Sequence, residues 1–420
     1  MSNPSSPARV CIGKAVPPLQ CSDVRPTPRR LRIAYAIDAF AGEKTGGVIS
    51  AKRFITALRE RHEVIVIAGG PSGEGLVGLP RFTIPPFGRV MRKMGFIFAW
   101  PSRAVLEPLL RQVDVLHVQF PFWLGIRATT LAHRVGTPVV AGFHVLPENM
   151  FHNVGVRSER VMDWTWRFFI RNLYGRADHV VCPTAFGLAE LRRHGLTVPA
   201  SVISNGVPPQ FRPGPPEREA RYRNRFLILA VSRLATEKRL EVIVEAVRRS
   251  RHAERIQLVL CGRGPREAKL RQSSSTLPVP AEIRVVEADD MPRLMRSADL
   301  LVHAADVELE GMALLEALGT GLPVVVAESP KSAAARFAVG DEFRFPAGDS
   351  EALSRRIDQL IDQPERLAAA REASLAAAKG LTLDASVAEL ESVYWEVARR
   401  REEAQPLPAA PSVTASAPPP

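Results

Sequence analysis

Short, near-continuous apolar segments recur along the chain, separated by stretches in which apolar residues return every three or four positions. Between Leu31 and Asn205 they are LRIAYAI, VIVIA, VDVLHV, PVVAGFH, HVVC and SVIS. The first is followed by an amphipathic stretch with Ala51, Phe54, Ile55 and Leu58 on one face. A second series, FLILAVS, IQLVLCG, IRVVE, DLLVHA and LPVVVAES, follows a Pro-rich charged stretch, VPPQFRPGPPEREARYR. Strands that are apolar throughout, alternating with amphipathic helices, predict parallel sheets covered on both faces. The pattern therefore predicts an α/β protein of two doubly wound domains. We place a disordered leader at 1–29, a first domain at 30–207, a linker at 208–224, a second domain at 225–383, a C-terminal helix at 384–403 and a disordered tail at 404–420. The apolar stripe Val387, Leu390, Val393, Tyr394 and Val397 on that last helix suits either domain as its partner.

Composition narrows the picture. At 420 residues with 46% hydrophobic content the chain suits two cores rather than one. Cys11, Cys21, Cys182 and Cys261 are too scattered for a disulfide framework or a zinc site, and no apolar run approaches the roughly 18 residues of a membrane span. The expected location is cytoplasmic. A formal charge of +12 points to an anionic partner: a phosphorylated substrate, an anionic membrane or nucleic acid.

In doubly wound sheets ligands sit beyond the carboxyl ends of the strands. Gly46 and Gly47 stand there, immediately before a helix, where a close backbone approach and free amides favour an anion; a plain tight turn explains them equally well. His144 ends the strand PVVAGFH. Arg233 and Lys238, in SRLATEK after the first strand of the second domain, suit a diphosphate; a solvated surface pair explains them equally well. The stretch DLLVHAADVELEGMALLEALGTGLPVVVAES reads as strand, loop, helix and strand. Gly311 permits an unusual backbone angle before a helix expected from about Met312 to Leu318, with Gly319 and Gly321 ending it. The amides of Met312, Ala313 and Leu314 are then available to a phosphate or sugar oxygen. Glu308 and Glu316, with seven residues between them, flank that helix start. An acidic first turn explains Glu308 and Glu310 but not Glu316, a carboxylate in an otherwise apolar helix.

These residues resemble the E-x7-E motif of the retaining glycosyltransferases of family 4, which have the GT-B fold of two Rossmann-like domains facing a cleft. TGG at Thr45–Gly47, GFH at His144, SNGV from Ser204 to Val207, SRLATEK, CGRGP from Cys261 to Pro265 and EGMALLEALGTGLPVV stand in the family's order. HVQFPFWLG and SPKSAAARFA are similar to bacterial enzymes that glucosylate diacylglycerol. The resemblance implies a hexosyltransferase using a UDP- or GDP-hexose. Glu316 would bind the ribose, Glu308 the hexose, Arg233 and Lys238 the diphosphate, and His144 would lie beside the anomeric carbon. Asn205 and Gly262 join Gly46, Gly47 and Gly311 to Leu314 as substrate-binding positions. The cations take the place of a D-x-D metal motif, so neither metal nor other cofactor is expected. The chain departs from the family at Ala304 and Ala305, where Pro-Ser is common, at Glu310, where an aromatic is common, and at Arg263 after Gly262.

Two segments mix cations with large aromatics. One carries Arg89, Arg92, Lys93, Arg103 and Arg111 with Phe96, Ile97, Phe98 and Trp100; the other carries Arg160, Arg167 and Arg171 with Trp164, Trp166, Phe168 and Phe169. They suit an anionic membrane, such as the inner face of the plasma membrane, and a lipid acceptor; equally, they read as core aromatics with solvated cations. No recognition motif supports nucleic acid. The competing readings are a soluble or polysaccharide acceptor, and a non-transferase on the same fold.

Overall fold

The structure, a computed structural model, describes residues 29–40, 45–83, 98–152 and 158–404. The leader, Cys11, Cys21, the tail beyond 404, and Arg89, Arg92, Lys93, Phe96 and Ile97 lie outside the described residues.

The first series of apolar segments forms a seven-stranded sheet: β1 Arg32–Ala36, β2 Glu63–Gly69, β3 Leu76–Leu79, β4 Val115–Val118, β5 Val139–Gly142, β6 His179–Cys182 and β7 Ala200–Val202. Its order is β3-β2-β1-β4-β5-β6-β7, every pairing parallel. The second forms a six-stranded sheet: β8 Phe226–Val231, β9 Ile256–Cys261, β10 Glu282–Arg284, β11 Leu300–His303, β12 Val324–Glu328 and β13 Arg344–Pro346. It repeats the order as β10-β9-β8-β11-β12-β13, again all parallel. Strands such as Ile256–Cys261 are buried at every position because helices cover both faces, which is why they are apolar without alternation. Each half is thus a Rossmann-like unit, with its switch point at β1/β4 and at β8/β11.

The C-terminal helix, Leu383–Ala404, returns to the first sheet. Val387, Leu390, Val393, Tyr394 and Val397 pack in one cluster with Ile33, Tyr35, Phe54 and Val66. Its polar anchor is Tyr394, whose hydroxyl shares a 2.8 Å hydrogen bond with His117 Nδ1, while Tyr35 stacks on the same imidazole at 4.2 Å. The chain therefore crosses between the halves twice, and the crossings touch: Val207 N–H donates to the Leu381 carbonyl (2.6 Å) and Leu383 N–H to the Val207 carbonyl (3.0 Å). Gly206, at φ +70°, makes this approach possible, since a Cβ there would stand 2.5 Å from Leu383 Cα.

The basic aromatic segments divide between core and surface. On the helix Glu159–Asn172, Trp166 and Phe169 are buried, whereas Trp164 is 64% exposed and stacks on Phe168. Trp100 and Trp123 are also more than half exposed. Cys182 and Cys261 are buried and unpaired. Among the described residues no helix is long and apolar enough to cross a membrane.

Replacing Tyr394 by Phe keeps the ring but strands His117 Nδ1 in the core, so unfolding in urea should show a loss of about 1–3 kcal/mol. An unchanged stability would mean that this bond does not hold the helix down.

Candidate active site

The carboxyl ends of both sheets open into a cleft of about 1270 Å³. Gly46, Gly47, His144 and Asn205 line it from the first half; Arg233, Lys238, Gly262, Glu308, Gly311, Met312 and Ala313 line it from the second. Leu314 and Glu316 do not line it.

The second half brings two loops together. After β8, Arg233 leads into a 3-10 turn, Thr236–Lys238, and the next residue, Arg239, has a left-handed backbone at φ 48°. No other non-glycine described residue has a positive φ, a conformation costing roughly 1–2 kcal/mol. Contacts to the neighbouring loop hold it: Asp306 N–H donates to the Glu237 carbonyl (2.9 Å), and Arg239 Nε lies 2.9 Å from the Asp306 carboxylate. Glu237 is fully buried and accepts from Arg233 Nη2 (2.9 Å). Lys238 Nζ donates to Glu308 Oε2 (2.6 Å), and His303 Nε2 lies 3.1 Å from the same oxygen. Burial by itself would raise the Glu308 pKa, but the Lys238 ammonium and His303 outweigh it and hold the carboxyl well below its ordinary range. Both proposed phosphate cations are therefore aimed by acids before any ligand arrives.

The helix after the second loop runs from Met312 to Thr320, two residues beyond the expected end. It passes through Gly319 and is capped by Gly321 at φ +76°. Gly311, at φ +88°, turns the chain into it. Leu314 N–H is not free as expected: it donates to the Gly311 carbonyl (2.9 Å), which leaves the amides of Met312 and Ala313 at the cleft wall.

The acids of this loop go to different places. Glu310 is 2% exposed and receives Ser204 Oγ (2.7 Å), Asn205 N–H (3.0 Å), Asn205 Nδ2 (2.5 Å) and Arg336 Nη2 (2.9 Å). Burial nevertheless raises its pKa. Asn205, which also accepts from Ser50 Oγ through Oδ1, is thus committed to this junction although it borders the cleft. Glu316, the carboxylate whose burial called for a partner, has one in Arg53 of the first half: Nη2 donates to Oε1 at 2.5 Å.

On the opposite wall, the helix Gly46–Arg59 begins against Phe120 and His144. A Cβ on Gly47 would meet the Phe120 ring at 2.8 Å, so the glycine serves this packing as well as the cleft. Gln119 ties the turn to β4, donating to the Gly47 carbonyl (2.8 Å) while accepting from the Tyr35 hydroxyl (2.6 Å). Burial lowers the His144 pKa to about 4, so its ring is neutral near pH 7. Sequence reasoning missed Asp38, two residues beyond β1 at the fold's ligand position. It lines the cleft, accepts from Ala99 N–H (3.3 Å), and is pushed by burial up to about 7.

Two family models match this framework: Glycosyltransferase Family 4 over residues 45–211 and Glycosyl transferases group 1 over residues 215–376. The chain belongs to glycosyltransferase family 4. Its fold is GT-B. The enzyme is 21% identical to the alpha-monoglucosyldiacylglycerol synthase of Streptococcus pneumoniae, over 71% of this chain and 72% of the relative. It is 26% identical to a GDP-mannose-dependent alpha-mannosyltransferase of Mycolicibacterium smegmatis, over 71% and 80%. Among solved structures, Anabaena HepE with UDP-glucose superimposes with a TM-score of 0.68 at 16% identity, covering 87% of this chain and all of that one.

Replacing Lys238 by Met tests the preset loop. Glu308 is depressed in the fold, so it stabilises the enzyme above the ordinary carboxylate pKa of about 4.3, and that contribution is lost as pH falls toward its folded value. Without Lys238 the buried carboxylate should cost about 3–5 kcal/mol at pH 7.5. The gap between variant and parent should narrow at pH 4.5, where the variant's Glu308 takes a proton; denaturant unfolding at the two pH values measures both.

Proposed function

We propose that the enzyme transfers a hexose from a UDP- or GDP-hexose to an acceptor hydroxyl with retention of configuration and without a metal, and that the acceptor is a membrane lipid such as diacylglycerol. The observation that carries the donor half is the convergence, on one wall of the cleft, of Arg233, Lys238, Glu308 and the amides of Met312 and Ala313. A helix start and two cations suit a diphosphate and stabilise it as it leaves. The family resemblance supplies the roles: Glu308 takes the hexose, His144 lies beside the anomeric carbon from the other wall, and Glu316, set behind the cleft lining with its side chain 11% exposed, takes the ribose. A His144 ring whose pKa burial lowers to about 4 is a weak base at pH 7, which fits a front-face reaction in which the departing phosphate oxygen takes the acceptor's proton. The named activities of the relatives, one a GDP-mannose-dependent transferase, and the UDP-glucose in HepE support a nucleotide-sugar donor.

The acceptor half rests on the first domain, read as the acceptor side. Trp100, Trp123 and Trp164 stand out from it, with exposed Arg103, Arg127, Arg160, Arg167 and Arg171 on the same elements or their flanks. Amphipathic rings beside cations suit an anionic bilayer surface. The relative named for glucosyldiacylglycerol synthesis supports a lipid. The enzyme would then work at the cytoplasmic face of the membrane, as a peripheral protein.

Glu316→Ala should weaken nucleotide-sugar binding by about 1–3 kcal/mol, roughly fivefold to 150-fold, in calorimetry; normal transfer by that variant would sink the donor assignment. Nucleotide release from UDP- and GDP-hexoses should require diacylglycerol liposomes and rise when they contain anionic lipid. Trp164→Ala should reduce that rise without changing donor binding.

A further inference from the structure

The Arg53–Glu316 pair joins the two halves across 263 positions of sequence, and both side chains are largely shielded, at 18% and 11% exposure. Arg53 approaches from the helix Gly46–Arg59. Its guanidinium also lies over the Phe211 ring, 5.9 Å from the centroid, so an aromatic face on the inter-sheet crossing helps to hold the fork. On the Met312–Thr320 helix Glu316 stands among the buried apolar residues Leu314, Leu315, Ala317 and Leu318, and the buried Thr320 hydroxyl one turn on is spent on the Ala317 carbonyl. A lone carboxylate there would be driven toward its neutral form.

We propose that Arg53 is a positioning residue of the nucleotide site: reaching over from the opposite domain, it holds one oxygen of Glu316 and leaves the remaining lone pairs to the ribose hydroxyls. This rests on reading Glu316 as the ribose ligand. An ionised carboxylate accepts about four hydrogen bonds, and Arg53 takes one of them at Oε1. Keeping Glu316 charged matters, because a ribose hydroxyl donates to a carboxylate far better than to a carboxylic acid. Burial raises the Glu316 pKa and the guanidinium opposes that rise.

The same helix has a second contact with the site. Its first residue, Gly46, faces the Met312 side chain at the start of the phosphate-side helix, where a Cβ would come within 3.8 Å of Sδ. Arg53 stands seven residues further on, about 10 Å along the axis. One rigid helix of the first domain thus abuts the donor site near its phosphate end and again at its ribose end.

The test is calorimetry on the full chain with UDP and GDP, each paired with its 2′,3′-dideoxy counterpart. The proteins are the parent, Arg53→Gln, Arg53→Lys, Glu316→Gln and the double variant Arg53→Gln/Glu316→Gln. Arg53→Gln should weaken the ribonucleotide about tenfold, leave the dideoxynucleotide nearly unchanged, and have no further effect once Glu316 is Gln. Arg53→Lys should recover part of the loss. Retained dideoxynucleotide binding shows that the variant is folded. If Arg53→Gln binds the ribonucleotide as tightly as the parent or more tightly, Arg53 is not a positioning residue and the proposal fails. An equal loss for both nucleotides, independent of Glu316, also overturns it. A parent that ignores the dideoxy change, with Glu316→Gln binding normally, removes the ribose assignment itself and the Arg53 role with it.

Discussion

The joint between the halves depends on one buried carboxylate. Glu310 accepts four hydrogen bonds, three from the turn that ends the first domain and one from Arg336 of the second. A buried charge is tolerable only when it is satisfied in this way, and removing a partner leaves the full desolvation cost behind. That requirement fixes the Ser204–Asn205 turn against the loop that carries Glu308. The residues around Glu310 use the same short run for other ends: Val307 and Leu309 pack into the core of the first half, and Glu308 faces Lys238 at the cleft. Domain joint and proposed donor site are therefore one segment, and where the family often has an aromatic before the glycine, this enzyme has the carboxylate that locks the joint.

Three cations of the proposed donor site already have acidic partners. Arg233 meets Glu237, Lys238 meets Glu308, and Arg53 meets Glu316. The first two pairs keep their cations extended and aimed beside the strained turn of Arg239, so the reorganisation needed for the proposed diphosphate is small. They also mean that a ligand shares or exchanges partners rather than meeting bare charge.

Much of this was legible in the order of residues. Strands buried on both faces must be apolar throughout, so the two Rossmann-like halves announced themselves; loops at strand ends named eleven of the residues that line the cleft. What escaped depended on distant partners. Nothing near Glu316 points to Arg53, and nothing near Glu310 points to Asn205. The stripe on the C-terminal helix is apolar whichever sheet it meets, and only the fold shows that Tyr394 finds His117. Trp164 and Trp166 could have been separated earlier, because residues two apart on a helix face different ways. Asp38 carried a signal as well, an acid just past the first strand, but no recognised motif drew attention to it.

The adjacent crossings at Val207 and Leu383 have a mechanical consequence. Two covalent passes hydrogen-bonded side by side act as a pin, so the halves cannot slide past each other without breaking it. Their relative motion reduces to rotation about one line. The buried face of the C-terminal helix, which starts at Leu383, therefore bears on how that pin is seated and hence on the angle at which the two walls of the cleft meet.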